Sequence, residues 1–439
     1  MLLKLLKIRI TLRTMNSLME SYWSKNQDLL NMIKYERRSN QNALAISQYF
    51  LQYWGEQQRA DSTFIILTHR TLELIIIVFA LWKCRFAIIP LCVDWPKQKI
   101  YSILKSLPYP SIITSGDFLD NEDLQMECLY INITKLFDRS RSYSLKLMRK
   151  SLLLNDLAYI TYTSGSTGPP KGVCTELLGL NNLAANYTKS LAMNRWNSVY
   201  QVVNHSFDIF FADLLEAFMN GATLVLANEK IPNAKEMMDI THAYIMPAYL
   251  STLDENAMKM LQKLNAINFG GDHIEAAFLS RGITSGLNLY QQYGLTEVSV
   301  YSTLHKIKSL DSKNCIGKSL NNVNFTIRVS NDYCALGRRG ICYISGIGLS
   351  RGYINDEKLT ASKYMANHRL LKEETILSYD RRYFITGDLT EMNQNGQLKF
   401  YGRADNQIKI RGHIVDVADV EAILCTLPMI ESCVITTQT

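Results

Sequence analysis

Short apolar segments alternate with helical patterns in the first third of the chain, and this alternation constrains the fold more than any other feature. Residues 63–67 and 86–91 are apolar runs of strand length, and residues 71–82 and 95–107 repeat apolar positions with the period of a helix. Strands joined through helices run parallel, because each connection crosses one face of the sheet in the right-handed sense. The sequence therefore predicts an α/β fold built on parallel or mixed sheets with helices on both faces.

The pattern changes in the last third of the chain. Between residues 316 and 400 helical spacing becomes rare, and short alternating runs such as 325–329 and 341–344 are separated by glycine-containing turns. This region is predicted to form a small, β-rich, barrel-like part of the molecule.

Composition excludes several classes of protein. The chain has 439 residues, of which 47% are hydrophobic and 20% charged, so it is neither disordered nor fibrous. Its net charge of +7 is spread along the chain without basic blocks, and no nucleic-acid partner is expected. Nine cysteines without a CxxC pair indicate reduced thiols, which are typical of a cytoplasmic protein.

The first 13 residues are basic, apolar and free of acidic residues. Three interpretations stay open: a helix on a membrane surface, a targeting segment, or a leader that precedes a true start at Met15. Membrane contact is expected only through this leader, because the longest apolar run, residues 74–82, is far shorter than the ~20 residues that cross a bilayer.

A hydroxyl-rich, glycine-rich loop at residues 162–172 follows the apolar strand predicted at 157–160. Backbone N–H groups, hydroxyls and one ammonium group at the end of a strand can converge on phosphate. The loop differs from the P-loop motif because no Ser or Thr follows its lysine, and an ordinary Ser/Gly/Thr linker is the alternative. The predicted phosphate contacts are Thr163, Ser164, Gly165, Ser166, Thr167, Gly168 and Lys171.

Several further motifs occur in a fixed order, and with this loop they resemble the adenylate-forming enzymes, specifically the adenylation domains of nonribosomal peptide synthetases. The resemblance covers the chain from Tyr35 to its end. The motifs are AIIPL at 87–91, YTSGSTGPPKG at 162–172, FD at 207–208, YGLTE at 293–297, SRGY at 350–353, TGDL at 386–389 and GRADNQIKIRG at 402–412.

The resemblance implies that ATP and Mg²⁺ bind. It places adenine beside the turn at 270–272 and the tyrosine of YGLTE, the α-phosphate on Thr296, Mg²⁺ on Glu297 and the ribose on Asp388. Lys171, Thr296 and Glu297 are the implied catalytic residues. The remaining implied ATP contacts are Gly270, Gly271, Asp272, Gln292, Tyr293, Gly294, Arg403 and Lys409.

The resemblance also implies an amino-acid substrate, whose ammonium group would pair with Asp208. The alternative is that Asp208 only caps the helix predicted at 208–219. The implied pocket is lined by Asp208, Ile209, Ala212, Ile245, Asn268, Gly270, Gln292, Val300 and Tyr301, and this mixed set does not select one amino acid.

The expected organisation is a leader and helix at residues 1–34, a large AMP-binding subdomain at 35–401, and a hinge followed by an incomplete α+β lid at 402–439. The lid is expected to rotate about Asp405 in the hinge. The expected reaction forms aminoacyl-AMP and pyrophosphate, followed by thioester transfer to phosphopantetheine on a carrier protein. Two alternatives stay open: an impaired ATP-binding remnant without the family's lid lysine, and an acyl-CoA or aryl-acid ligase of the same superfamily.

Overall fold

A computed structural model describes residues 7–9, 43, 45–48, 50, 63–115, 128–140, 153–163, 170–227, 237, 239–272, 274–310, 314–329, 332–366, 382–404, 407–410 and 413–416, with single positions at 420, 424, 430 and 435. The chain forms two compact units. Unit 1 comprises Met1–Thr161, Cys174–Tyr244 and Lys259–Ile267, and unit 2 comprises Tyr162–Val173, Ile245–Met258 and Asn268–Thr439.

Unit 1 is built from alternating strands and helices. Its strands are β1 (Lys7–Arg9), β2 (Thr63–Leu67), β3 (Ala87–Leu91), β4 (Ser111–Thr114), β5 (Leu129–Asn132), the first part of β6 (Leu157–Thr163), the last part of β7 (Lys171–Glu176), β8 (Ser198–Gln201), β9 (Thr223–Leu226) and β10 (His242–Tyr244). Its helices are α1 (Leu72–Lys83), α2 (Lys97–Lys105), α3 (Ile133–Ser140), α4 (Leu177–Ser190) and α5 (Ile209–Met219).

The parallel sheet predicted from the alternating pattern is present in unit 1. Strands run in the order β6-β3-β2-β4-β5, and every pair among them is parallel. All five residues of β3 are buried, as expected for a strand covered on both faces. Helix α1 begins where the Thr71 hydroxyl accepts a hydrogen bond from the Leu74 N–H, and it buries nine consecutive residues. The α/β prediction is therefore confirmed.

A second parallel set in unit 1 runs β9-β8-β10, and α4 packs against α5. The leader contributes β1, which pairs antiparallel with β9 through Ile8 opposite Leu224. At residues 7–9 the proposal of a surface helix is therefore wrong. The edge of β9 offers backbone hydrogen-bonding groups, and the backbone of Lys7–Arg9 pairs with them.

Unit 2 contains the last part of β11 (Ala266–Gly270), β12 (Leu289–Tyr293), β13 (Thr303–Lys306), β14 (Cys315–Ser319), β15 (Val323–Val329), β16 (Asp332–Tyr333), β17 (Gly340–Gly346), β18 (Gly352–Tyr353), β19 (Tyr364–Ala366), β20 (Arg382–Met392), β21 (Leu398–Arg403), β22 (Gln407–Ile410) and β23 (His413–Asp416). Its helices are α6 (Pro247–Leu250), the first part of α7 (Glu255–Leu261), α8 (Ala276–Thr284) and α9 (Glu357–Lys363), with a 3-10 turn at Thr296–Val298.

The β-rich part of unit 2 is an open antiparallel sheet. Its order is β12-β13-β14-β21-β20-β17-β15-β16, with β19 also paired to β20. The predicted barrel-like closure is absent from the described strands. The last strand on this path, β16, has two residues and pairs only with β15, so the path ends at an edge.

Helices long and apolar enough to span a bilayer do not occur among the described residues. No disulfide joins the cysteines in the described ranges.

Candidate functional site

The carboxylate of Asp388 is held from two sides in unit 2. The Tyr293 hydroxyl donates to Oδ2 at 2.5 Å, and Arg403 Nη1 donates to Oδ1 at 3.0 Å. The side chain is only 4% exposed. The backbone N–H of Asp388 also donates to the Thr386 hydroxyl at 2.9 Å, in a strand that bends at Gly387, whose φ is +77°. Asp388 therefore has a fixed position, as a group that recognises a ligand requires.

Tyr293 supplies one of the two donors to this carboxylate. Burial raises the pKa of the Tyr293 hydroxyl well above its ordinary value, and the nearby Asp388 charge raises it further, so the phenol keeps its proton. Its ring lies 6.2 Å from Phe400 and 6.4 Å from Phe325, between ring centroids. The sequence predicted ring stacking on adenine for Tyr293 and missed this hydrogen bond, because 95 residues separate the two partners.

Arg403 supplies the second donor from the end of β21. It lies directly opposite Asp388 in the antiparallel pair, and Nη1 also donates to the Thr386 carbonyl at 2.8 Å. The Ala404 N–H donates to the Gly387 carbonyl at 2.8 Å. These bonds tie the strand that leads into the predicted hinge to the Asp388 turn. The sequence predicted that Arg403 faces the nucleotide. In the structure Arg403 contacts Asp388, the residue that is predicted to bind the ribose.

Glu297 lies in the 3-10 turn of the YGLTE motif, and Tyr353 of the SRGY motif holds it. The Tyr353 hydroxyl donates to Glu297 Oε1 at 2.8 Å, and the Ser350 N–H donates to the Glu297 carbonyl at 2.9 Å. Burial and the Glu297 charge together raise the pKa of Tyr353. Thr296 and Glu297 are half-buried. Their hydroxyl and carboxylate oxygens are hard ligands that suit Mg²⁺.

The residues after Glu297 are strained. Ser299 and Val300 have positive φ values of 55° and 75°, and Val300 is a β-branched residue for which such a value is a conformational outlier. Gly294 accommodates this bend, because a Cβ there would lie 2.2 Å from the Val300 carbonyl oxygen. The Ser299 hydroxyl donates to the Gly348 carbonyl at 2.8 Å. The bend buries the side chains of Val300 and Tyr301, two of the predicted substrate contacts.

Two predicted pocket residues are buried amides with unsatisfied polar atoms. Gln292 is 2% exposed, and neither Oε1 nor Nε2 has a hydrogen-bond partner among the described residues. Asn268 is 3% exposed, and its Oδ1 likewise has no partner in the described part of the chain. Leaving a buried polar group unsatisfied costs about 1–3 kcal/mol. Such atoms in a native fold indicate a missing partner, such as a ligand.

The turn predicted to flank adenine contains Gly270, Gly271 and Asp272. A Cβ on Gly270 would lie 2.2 Å from the Gln292 carbonyl oxygen, so contact with β12 alone requires glycine there. Gly271 has a φ of +77°. The local backbone geometry therefore explains glycine at both positions, in addition to the predicted approach of adenine.

The ends of the predicted phosphate loop lie close together. The Thr163 hydroxyl donates to the Lys171 carbonyl at 3.5 Å, and the Gly172 carbonyl accepts from the Ile354 N–H at 2.8 Å. Lys171 is half-buried. The predicted contacts Ser164, Gly165, Ser166, Thr167 and Gly168 lie outside the described residues, as does the predicted hinge residue Asp405. Lys409 lies in β22, where only the backbone is described.

Asp208 lies in unit 1, directly before α5. It occupies the N-cap position, but its side chain makes no capping hydrogen bond, and its φ and ψ of −63° and −26° are helical. An N-cap residue usually has extended backbone angles and accepts a bond from the first turn. The Asp208 charge contributes, after burial, to raising the pKa of Tyr159. Helix capping therefore does not explain this buried carboxylate. Among the other predicted pocket residues, Ala212 in unit 1 and Ile245 in unit 2 are buried, and Ile209 in unit 1 is half-buried.

Helix α5 also carries two fully buried carboxyl groups, Asp213 and Glu216, that sequence analysis missed. Burial raises the pKa of Glu216 from 4.5 to about 8, and burial together with the Glu216 charge raises the pKa of Asp213. The hydrogen bond with Gln201 and the charge of Arg70 lower the pKa of Asp213. Asp213 Oδ2 and Glu216 Oε1 have no hydrogen-bond partner in the described residues. Both groups therefore favour the protonated form near neutral pH.

Comparisons with known proteins identify the family and the fold. The sequence profile described as AMP-binding enzyme matches residues 40–354. Gramicidin S synthase 2 from Aneurinibacillus migulanus is 29% identical over 381 residues, which are 84% of this chain and 8% of that protein. The chain therefore spans a small part of that relative.

Two solved structures share the fold. NpsA-ThdA, an artificially fused adenylation-PCP di-domain from Klebsiella oxytoca, has a TM-score of 0.77 at 21% identity and covers 91% of this chain and 79% of that chain. A double mutant of o-succinylbenzoate CoA synthetase from Bacillus subtilis has a TM-score of 0.76 at 17% identity, with 91% of this chain and 79% of that chain covered. The profile match extends over more than half of the sequence and confirms the predicted resemblance. The chain belongs to the AMP-binding enzyme family and is a homologue of nonribosomal peptide synthetase adenylation domains.

Proposed function

We propose that this chain activates an amino acid with ATP. A carboxylate oxygen of the amino acid attacks the α-phosphorus, the bond from that phosphorus to the bridging oxygen of the β-phosphate breaks, and pyrophosphate leaves with the bonding electrons. The product is aminoacyl-AMP. The family membership supports adenylate chemistry, and the choice of an amino acid is the finer step that the residues below support.

The observation that carries the nucleotide assignment is the fixed carboxylate of Asp388. Tyr293 and Arg403 hold its two oxygens, and each oxygen keeps lone pairs that can accept from a ribose hydroxyl. A ligand that meets a preorganised acceptor loses little free energy to reordering the side chain. Asp388 would therefore orient the ribose, and with it the α-phosphate.

Charge at the reacting phosphate would be offset by residues on the phosphate loop and the YGLTE motif. Lys171 supplies an ammonium group, and Thr296 supplies a hydroxyl donor. Mg²⁺, held by Glu297 and phosphate oxygens, would offset negative charge as pyrophosphate leaves. Tyr353 donates to Oε1 of Glu297 and so holds in place the carboxylate that would bind the metal. Catalysis would rest mainly on positioning and electrostatic stabilisation.

The preference for an amino acid rests on Asp208. This carboxylate is buried and makes no capping bond. A buried carboxylate is stabilised by a cation, and the α-ammonium group of an amino acid would supply one. An acyl-CoA or aryl-acid ligase acting on a substrate without an ammonium group would leave Asp208 without this partner. The second step would transfer the aminoacyl group to the phosphopantetheine thiol of a carrier protein.

The test is exchange of labelled pyrophosphate into ATP, run with each proteinogenic amino acid in turn and with aryl acids as the alternative substrates. We expect exchange that depends on one amino acid or a few related ones. ATP binding without exchange for any acid would support an ATP-binding remnant, and exchange that depends on an aryl acid would support the ligase alternative. Either result would overturn the proposal.

A further inference from the structure

Three amide atoms on two adjacent strands share the same need for a partner. They are Oε1 and Nε2 of Gln292 in β12 and Oδ1 of Asn268 in β11, all unsatisfied among the described residues. Both side chains are at least 97% buried. We call these three atoms the amide set.

The two side chains that form the amide set belong to neighbouring stretches of unit 2. Gly270 packs so tightly on Gln292 that a Cβ would lie 2.2 Å from the Gln292 carbonyl oxygen and 3.3 Å from its Cβ. Asn268 precedes Gly270 by two residues, a distance of about 6.6 Å along a strand. The pleat places Asn268 on the same face of β11 as Gly270, the residue that touches Gln292, so we take both amides to face one ligand group.

Two other predicted pocket residues, Ile245 and Val300, are apolar and buried. The Ile245 N–H donates to the Asn268 carbonyl at 2.9 Å, which places Ile245 beside this strand, and Ile245 is fully buried. Val300, in the strained bend after YGLTE, is 3% exposed. At such buried positions a ligand can bring the partner that the amide atoms lack among the described residues.

The hydrogen-bond inventory of the amide set selects one kind of side chain. It offers one amide nitrogen as a donor and two carbonyl oxygens as acceptors. A carboxamide has the complementary groups, since its carbonyl accepts from Nε2 and its two N–H bonds donate to Oε1 and Oδ1. A carboxylate brings no donor, an ammonium group brings no acceptor, a hydroxyl brings a single donor, and an aliphatic side chain satisfies none of the three atoms.

We propose that the amino acid activated by this chain carries a carboxamide side chain, as asparagine and glutamine do, and that Gln292 and Asn268 read it. This inference rests on the proposed function, because it takes the amide set to line the substrate pocket. It adds a substrate class to a pocket whose residue types alone selected none.

The test is equilibrium binding of non-hydrolysable aminoacyl sulfamoyl-adenosines to the 439-residue chain, measured by calorimetry. The panel carries asparagine, glutamine, aspartate, glutamate, leucine or glycine, and sulfamoyl-adenosine without an amino acid is the reference. Sites built to hydrogen-bond a polar group reject analogues that lack it by roughly 10⁴-fold. We expect the asparaginyl or glutaminyl compound to bind at least about 10²-fold more tightly than the near-isosteric leucyl and acidic compounds.

The outcomes separate the two proposals. If the leucyl, aspartyl or glutamyl compound binds as tightly as the tighter-binding of the two carboxamide compounds, the carboxamide assignment is wrong while the proposal of amino-acid activation stands. If no aminoacyl compound binds more tightly than sulfamoyl-adenosine, the proposed function itself is wrong.

A matched pair of variants assigns the effect to Gln292. Gln292→Leu removes the donor and one acceptor at nearly constant volume, and we expect it to abolish the preference for carboxamide over leucine. Gln291→Leu changes the preceding residue of the same strand, whose side chain points to the opposite face, and it should keep the preference. Loss of the preference only in Gln291→Leu would contradict the proposal. If Gln292→Leu does not fold, the panel on the unchanged chain still decides.

Discussion

Replacing Tyr293 with phenylalanine should destabilise the strand that carries Asp388. The substitution keeps the ring and its contacts with Phe325 and Phe400, and it removes only the hydroxyl that donates to Asp388 Oδ2 at 2.5 Å. A hydrogen bond to a charged group contributes roughly 1.5–3 kcal/mol. Because Arg403 still holds Oδ1, the carboxylate loses one of two side-chain donors, and we expect a cost near the middle of that range, about 2 kcal/mol.

Hydrogen exchange is the suitable assay, because it reports on the opening of individual strands. Exchange of backbone amides in peptides covering β20 should quicken about 30-fold in Tyr293→Phe, since 1.4 kcal/mol corresponds to tenfold. Tyr343→Phe is the matched control, because Tyr343 is also buried in this sheet and its ring stacks edge-on with Tyr383.

A double-mutant cycle with Asp388→Ala completes the test. The effects of Tyr293→Phe and Asp388→Ala should not add, because each substitution removes the same bond between Tyr293 and residue 388. If Tyr293→Phe changes exchange in β20 no more than Tyr343→Phe does, or if the two effects add, the preorganised carboxylate is refuted.

Three further predictions concern charge. Lys171→Ala should weaken ATP binding by about 1.5–3 kcal/mol through loss of a charge-assisted contact, and unchanged affinity in calorimetry would remove Lys171 from the phosphate site. Asp208→Ala should weaken binding of an aminoacyl sulfamoyl-adenosine by roughly 3–5 kcal/mol and leave the affinity for ATP unchanged. If the variant binds both ligands with wild-type affinity, Asp208 has only a structural role. Glu216 has a pKa of about 8 in the folded chain and 4.5 in the unfolded chain, so between these pH values only the folded form keeps the proton. The contribution of Glu216 to the free energy of unfolding is therefore fully present below pH 4.5 and falls by about 1.4 kcal/mol per pH unit up to about pH 8. Glu216→Gln should flatten this dependence of stability on pH. Thermal unfolding can be followed by the fluorescence of Trp82, because its ring centroid lies 6.1 Å from that of Phe211 in α5. An unchanged pH dependence in the variant would assign the titration to another group.

The secondary structure was largely predictable because its determinants are local. The helices predicted at 71–82 and 208–219 agree with α1 and α5 to within one residue at each end. Strand β1 was not predictable, because a basic apolar leader fits a surface helix as well as it fits an open sheet edge. The partners of that leader lie more than 200 residues away in the sequence.

The candidate site was predictable as a list of residues and not as an arrangement. Motifs identified Tyr293, Asp388 and Arg403 separately, but the bonds that join them cross between strands far apart in the sequence. The buried carboxyls of α5 were missed for a similar reason. Asp213 and Glu216 are typical helix-surface residues by composition, and only the packing of α5 shows that both are covered.

The central claim is that this chain binds an aminoacyl adenylate and recognises its ammonium group. The most direct measurement compares the affinities of two sulfamoyl-adenosines that differ only in the α-amino group, one aminoacyl and one its des-amino counterpart. We expect the aminoacyl compound to bind at least about 10²-fold more tightly, since breaking a buried ion pair costs roughly 3–5 kcal/mol, and we expect Asp208→Ala to remove the difference. Equal affinities of the unchanged chain for the two compounds would contradict this claim.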